Sequence, residues 1–298
     1  MSTDPLSIIW WNTSLSPPTT KKSDTKKFKI SKTDRLFYCS EVIQQFMHMN
    51  YDFICLCEVA ASDIESLAEQ INIDESNYTY ISGYEKQGNL IFDTCIFFKK
   101  NYHLNSDLLQ VRNLIYNSAG RKVKTGQRFE FYLPNIKENL VLYLSHWPSR
   151  QSADEILYNS LGQDLRGAIN KDLELKRNVI LVGDYNVEPH HISMVSGLQS
   201  TREKDLAKYR KTLLYNPCWK FLTASQCDEC DNKSGTYYLR KTGLFNSWHI
   251  IDQILVSKNF FSKKWNFMDN FVEIIDTNVE LNDPISDHLA ISMFIERT

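Results

Sequence analysis

The chain has 298 residues, 42% of them hydrophobic and 23% charged, with a formal net charge of −2. This apolar content suffices for a sizeable core within one domain spanning residues 1–298, and ten glycines with eight prolines exclude a collagen-like or low-complexity chain. The near-neutral balance excludes a protein that coats nucleic acid by bulk attraction, and no apolar run approaches the roughly 18 residues of a membrane helix.

The start, MSTDPLSIIWWN, has no basic n-region and no small-residue cleavage site, so a secretory leader is not expected. Seven cysteines at unpatterned positions fit a reducing compartment, and a cytoplasmic location is expected. Cys227 and Cys230 have a two-ligand zinc spacing, but no second Cys or His pair matches it.

In chain order, residues 7–11 read as a buried strand that delivers Asn12 at its end. Residues 16–32 follow, with two prolines, several hydroxyl residues and six lysines, and read as a flexible, solvated insertion. Residues 34–49 carry Leu36, Ile43, Phe46 and Met47 at helical spacing. A strand over 53–57 delivers Glu58, and Ser62 with Glu65 reads as a capping box opening a helix. Residues 94–98 read as another strand.

A strand over 140–145 delivers His146, followed by Trp147 and Arg150. Ser152 with Glu155 reads as a second capping box, opening a helix with Leu157, Leu161, Leu165 and Ile169 on one stripe. The strand over 179–182 runs through Gly183 into Asp184 and Asn186, whose two-residue spacing places both side chains on one face in extended chain. Residues 201–214 are expected to be helical. The strand over 250–256 carries Asp252 in an apolar run, a costly placement unless the carboxylate is paired. Ser286, Asp287 and His288 precede the last strand, 289–295. Residues 120–126, GRKVKTG, lack the Gly-Lys-Ser/Thr ending of a phosphate loop. His190 and His191 read as a solvated loop.

Six strands that end in or carry Asn, Asp, Glu or His are more than packing requires. Together, Trp11-Asn12, Glu58, the HWPSR run from His146, the GDYN run from Gly183, the IDQILVS run around Asp252 and the SDH run from Ser286 resemble the endonuclease/exonuclease/phosphatase superfamily. The order spans nearly the whole chain, and Gly235–Tyr238 also resembles the family.

That resemblance implies an α/β fold, a four-layer α/β/β/α sandwich of two packed mixed sheets with helices outside. It implies a metal-dependent phosphoric-ester hydrolase in which Asn12, Glu58 and Asp287 hold Mg²⁺ or Mn²⁺, hard cations suited to oxygen ligands. By the same resemblance Asp184 activates the water, Asn186 stabilises charge on the phosphoryl group, and His288, oriented by Asp252, contacts the phosphate. His146 is then a second phosphate contact or the acid for the leaving group.

Arg150, Arg128, Tyr237 and the lysine insertion are the expected substrate contacts. The expected activity is a nuclease, endonuclease or exonuclease, acting on DNA or RNA with little sequence preference. The alternatives are a phosphatase or phosphodiesterase acting on inositol phosphates, phospholipid headgroups or nucleotides, and a non-catalytic binding member of the family. No protein partner is inferable from the sequence.

Overall fold

The computed structural model describes residues 5–18, 28–104, 111–118, 121–134, 136–150, 152–223, 235–239, 248–277 and 284–298. Lys21, Lys22, Lys26 and Lys27 of the expected insertion, and Cys227 and Cys230, lie outside the described residues.

Two sheets form the centre. The first is built from β1 (Leu6–Asn12), β2 (Phe53–Cys57), β3 (Tyr78–Ser82) and β4 (Thr94–Lys99), joined by two strands from the far end of the chain. The second contains β5 (Val111–Ser118), β6 (Arg121–Leu133), β7 (Glu138–His146), β8 (Asn178–Asp184) and β9 (Asp252–Val256). The last two strands, β10 (Trp265–Ile275) and β11 (Ala290–Arg297), return to the first sheet, whose order is β10-β11-β1-β2-β4-β3. In the second sheet β6, β7, β8 and β9 are successive neighbours, and β5 pairs β6.

Strand alternation explains the layering. Ile8 and Trp10 of β1 join Leu140, Leu142 and Leu144 of β7 and Ile180 and Val182 of β8 in the core between the sheets. Ile9 and Trp11 point the other way, into a second core under helices α1 (Lys32–His48) and α2 (Ala61–Ile71). Val141 and Tyr143, with Val179 and Leu181, face a third core under α3 (Glu155–Glu174). Apolar residues of both parities therefore arise because each sheet is covered on both faces. The result is the expected four-layer sandwich.

Helix boundaries differ from the expected ones for reasons of capping. Ser31 caps α1 by accepting from the Asp34 N–H at 3.1 Å. Helix α2 starts one residue before Ser62, because Asp63 accepts from the Ala60 N–H at 2.9 Å. Helix α3 is capped by Asp154, not Ser152, through the Leu157 N–H at 2.8 Å. The expected helix over 201–214 shortens to Lys204–Tyr209, because its flanks, Ser200–Thr201 and Leu214–Tyr215, pair as an edge of the second sheet. Strands β3, β5, β6 and β10 were not expected from the sequence. In β5 and β6 the apolar residues are interleaved with Arg, Lys, Asn and Gln, which hides a buried strand pattern.

Gly183 is a tight point, since a Cβ there would lie 2.4 Å from the Ser145 carbonyl oxygen on neighbouring β7. The clash is with backbone, so the strands must shift. Gly183→Ala is expected to cost about 1–3 kcal/mol of unfolding free energy, as an overpacked core does, measured by urea denaturation.

Candidate active site

The register brings the strand-end residues into one row. His146 on β7 stands beside Asp184 on β8, and Asp184 beside Asp252 on β9. From the facing sheet, Asn12 ends β1 beside Cys57, and Glu58 follows at once with a positive φ of 57°. Asn186 also adopts a positive φ, 55°, where the chain leaves β8. An Asn tolerates that region better than most residues, whereas for a glutamate it is a strained choice.

Hydrogen bonds tie the two sheets together here. The buried Asn12 amide donates to Asp184 Oδ2 at 3.1 Å and to Glu58 Oε1 at 3.2 Å, while its oxygen accepts from the Ser14 N–H at 3.0 Å. The Trp10 indole N–H donates to Asp252 Oδ1 at 2.9 Å. The other Asp252 oxygen lies 2.7 Å from His288 Nδ1. Asp252 is fully buried, and these contacts, with the Thr236 hydroxyl 3.1 Å from its amide nitrogen, compensate the burial.

His288 Nε2 is 3.9 Å from Asp184 Oδ2, and the Tyr237 ring centroid is 4.9 Å from that of His288. Asp287 accepts from the Ser14 hydroxyl at 2.5 Å. Asn186 donates to the Trp147 carbonyl at 2.9 Å, and its own N–H binds Asp184 Oδ1 at 2.9 Å. Arg150, exposed at the rim, donates to the Asn186 carbonyl at 3.1 Å.

A second acid–histidine pair escaped the sequence reading. His146 Nδ1 lies 2.7 Å from Asp93 Oδ2, and Asp93 Oδ1 receives Lys124 Nζ at 2.7 Å. His146 Nε2 is 3.5 Å from Glu58. Asp93 stands at the mouth of β4 and Lys124 inside β6, so neither carried a strand-end signature.

The electrostatics follow from this packing. Burial disfavours the His288 imidazolium, but Asp252, then Asp184 and Asp287, outweigh it and raise the pKa to about 10. Burial, and then Asp252, push Asp184 upward, against His288 and His146. Burial also raises Glu58, opposed by His146 and reinforced by Asp287. Burial would raise Asp93, yet His146 and Lys124 hold it well below the usual carboxylate range.

Two groupings suit a cation. Glu58 and Asp287 act on one another electrostatically and offer hard oxygen donors. Asp184, Asp252 and His288 bring potential ligand atoms within 4.8 Å of one another. In the second group Asp252 is already engaged by Trp10 and His288. Asn12, bridging two carboxylates by its N–H groups, reaches a cation only with its amide turned.

Arg128 is the correction. It is buried on the α3 side of the second sheet, donating to Asp172 at 2.8 and 3.0 Å and to Glu130 at 2.7 Å. Tyr143 and Arg177 share those carboxylates. Its fork is occupied by fold contacts, so it is not a substrate group. His191, expected in a solvated loop, is held between Ser193 and Glu155 at 2.7 and 2.8 Å.

The model of the Endonuclease/Exonuclease/phosphatase family matches residues 11–282. A search of curated proteins finds no match. Among solved structures, the human Nocturnin catalytic domain with bound sulfate is similar at a TM-score of 0.62 and 17% identity, covering 99% of this chain and 95% of that one. TDP2 from D. rerio, complexed with single-strand DNA product, is similar at 0.60 and 15%, covering 98% of both chains. A functionally unknown conserved protein of Enterococcus faecalis V583 reaches 0.65 at 11% identity, covering 98% of this chain and 100% of that one.

The Arg128 correction predicts a contrast in stability. Arg128→Met is expected to lower the unfolding free energy by about 3 kcal/mol, as loss of one partner from a buried ion cluster does. Arg150→Met is expected to change it by no more than about 0.5 kcal/mol, as at an exposed site. Urea melts of the two variants measure both.

Proposed function

This chain belongs to the endonuclease/exonuclease/phosphatase family, and we propose that it works as a Mg²⁺- or Mn²⁺-dependent phosphodiesterase cleaving DNA or RNA with little sequence preference. The observation that carries the reading is the convergence of Asn12, Glu58, Asp184, Asn186, Asp252, Asp287 and His288 from seven chain positions onto one hydrogen-bonded cluster. The single-strand DNA product in the similar TDP2 structure supports nucleic acid as the substrate class.

Glu58 and Asp287 are the residues suited to hold the metal. When bound, such a cation supplies Lewis-acid polarisation of a phosphoryl oxygen. The chain's own groups do the rest. His288, kept cationic by Asp252, presents its Nε2–H to a non-bridging phosphate oxygen. Asp184 accepts the proton of the attacking water, its Oδ1 fixed by the Asn186 N–H and its Oδ2 by Asn12.

Asn186 spends one amide hydrogen on Trp147 and can aim the other at the oxygen where charge builds. His146, oriented by Asp93, stands on the Glu58 side as phosphate contact or leaving-group acid. Arg150 and Tyr237 border the cluster and suit the flanking phosphate and the sugar or base.

The test is purified protein with Mg²⁺ against plasmid, single strands, RNA, inositol phosphates and nucleotides. Strand cleavage is expected, with Asp184→Asn lowering turnover at least about a hundredfold, the usual worth of a positioned base, at unchanged melting temperature. Release of phosphate or headgroup without any strand cleavage points instead to the small-phosphoester activity. Absence of hydrolysis on every substrate points to a binding role.

A further inference from the structure

A groove of about 650 Å³ lies away from the strand-end cluster, where β7 and β8 begin rather than where they end. The eight steps from Glu138 to His146 put it roughly 25 Å from the cluster, at about 3.3 Å per residue. Five cationic side chains line it, Lys137, Lys176, Arg177, Lys263 and Lys264, against one carboxylate, Glu138.

Two of the cations are already neutralised. Lys264 pairs with Glu138, and Arg177 with Asp172 and Glu130. Lys137, Lys176 and Lys263 are exposed, and among the described residues none of them forms an ion pair. Lys137 and Lys176 each stand at a positive φ, 53° and 54°, at the turns entering β7 and β8. Because β7 and β8 are paired neighbours, the turns hold two lysine Cα positions side by side, and Lys263 lines the same groove. Three like charges facing one concavity repel one another, and the arrangement is relieved when an anion occupies it.

We propose that this groove is a second anion site, taking a ligand that presents two or three phosphates along one side. Lysines act there as point charges tolerant of ligand shape, so charge and phosphate spacing set the selection rather than a fixed fork. A free polyphosphate and the backbone of a single strand share that chemistry. The site stands independently of the reading of the strand-end cluster, because none of its residues belongs to that cluster.

The test uses the full chain carrying Lys137→Gln, Lys176→Gln and Lys263→Gln. Its control carries Lys100→Gln, Lys208→Gln and Lys211→Gln, exposed lysines outside the groove, so both variants have the same net charge. Binding of inorganic tripolyphosphate and, separately, of a single-stranded oligothymidylate is measured in EDTA at several salt concentrations.

The groove variant is expected to bind at least one of the two about tenfold more weakly than the control does. For the oligonucleotide, the slope of log affinity against log salt should become shallower by about 0.7 per lysine engaged. Weakening for tripolyphosphate alone identifies a free polyphosphate as the ligand, and weakening for the strand alone identifies the backbone. Equal affinities for both ligands in groove variant and control overturn the proposal. Should the triple variant melt early, the three single variants carry the same comparison, each with part of the loss.

Discussion

The hydrogen bond from Trp10 to Asp252 crosses between the two sheets, and the rest of the site depends on it. A carboxylate with no exposed surface must be compensated on both oxygens. Here one oxygen is compensated by an indole from the opposite sheet and the other by His288. Asn12, two residues beyond Trp10, then makes the second crossing to Asp184. Two sheets that slid past one another would break both contacts, so burial of Asp252 locks the register of the layers where the polar residues gather.

From that lock the charge pattern follows. Asp252 makes His288 a cation inside the protein, against the opposing effect of burial. The cation lies 3.9 Å from Asp184, whose own carboxyl is pushed upward by burial and by Asp252. On the other flank, Asp93 and Lys124 fix His146 so that its free nitrogen faces Glu58. Acid–histidine pairs therefore stand on both sides of a group of carboxylates with oxygen donors facing one another. Hard cations and phosphate oxygens are the partners that such a pattern of charge can take together.

Much of this was legible in the sequence because the site sits at strand ends. An apolar run that stops on Asn12, Glu58, His146 or Asp184 announces both its strand and its polar residue, and the parity of Ile8–Trp10 against Ile9–Trp11 announces two covered faces. Asp93 and Lys124 were not legible. One opens a strand whose buried run gives no reason for an acid before it, and the other lies among charged residues of a long hairpin. Arg128 misled for a related reason: its partner Asp172 comes from α3, 44 residues along the chain, a contact that no local pattern encodes. The N-caps of α2 and α3, Ala60 and Asp154, each lie two positions from the expected Ser62 and Ser152, since Ser, Asp and Glu in one short run offer competing caps.

Near-neutral net charge also acquires a spatial meaning. Acidic groups concentrate at the strand ends, while three lysines outside any described ion pair rim a groove where β7 and β8 begin. The central claim is that the strand-end cluster is a metal-assisted phosphodiesterase centre, and the most direct measurement is cleavage of single-stranded DNA against Mg²⁺ concentration for the wild-type chain and Glu58→Gln. The account predicts no turnover in chelator and a half-saturating Mg²⁺ concentration raised at least about tenfold by the substitution, as expected when a group that holds the metal is weakened, at unchanged melting temperature. Full turnover in chelator, or the same Mg²⁺ dependence in both proteins, would contradict it.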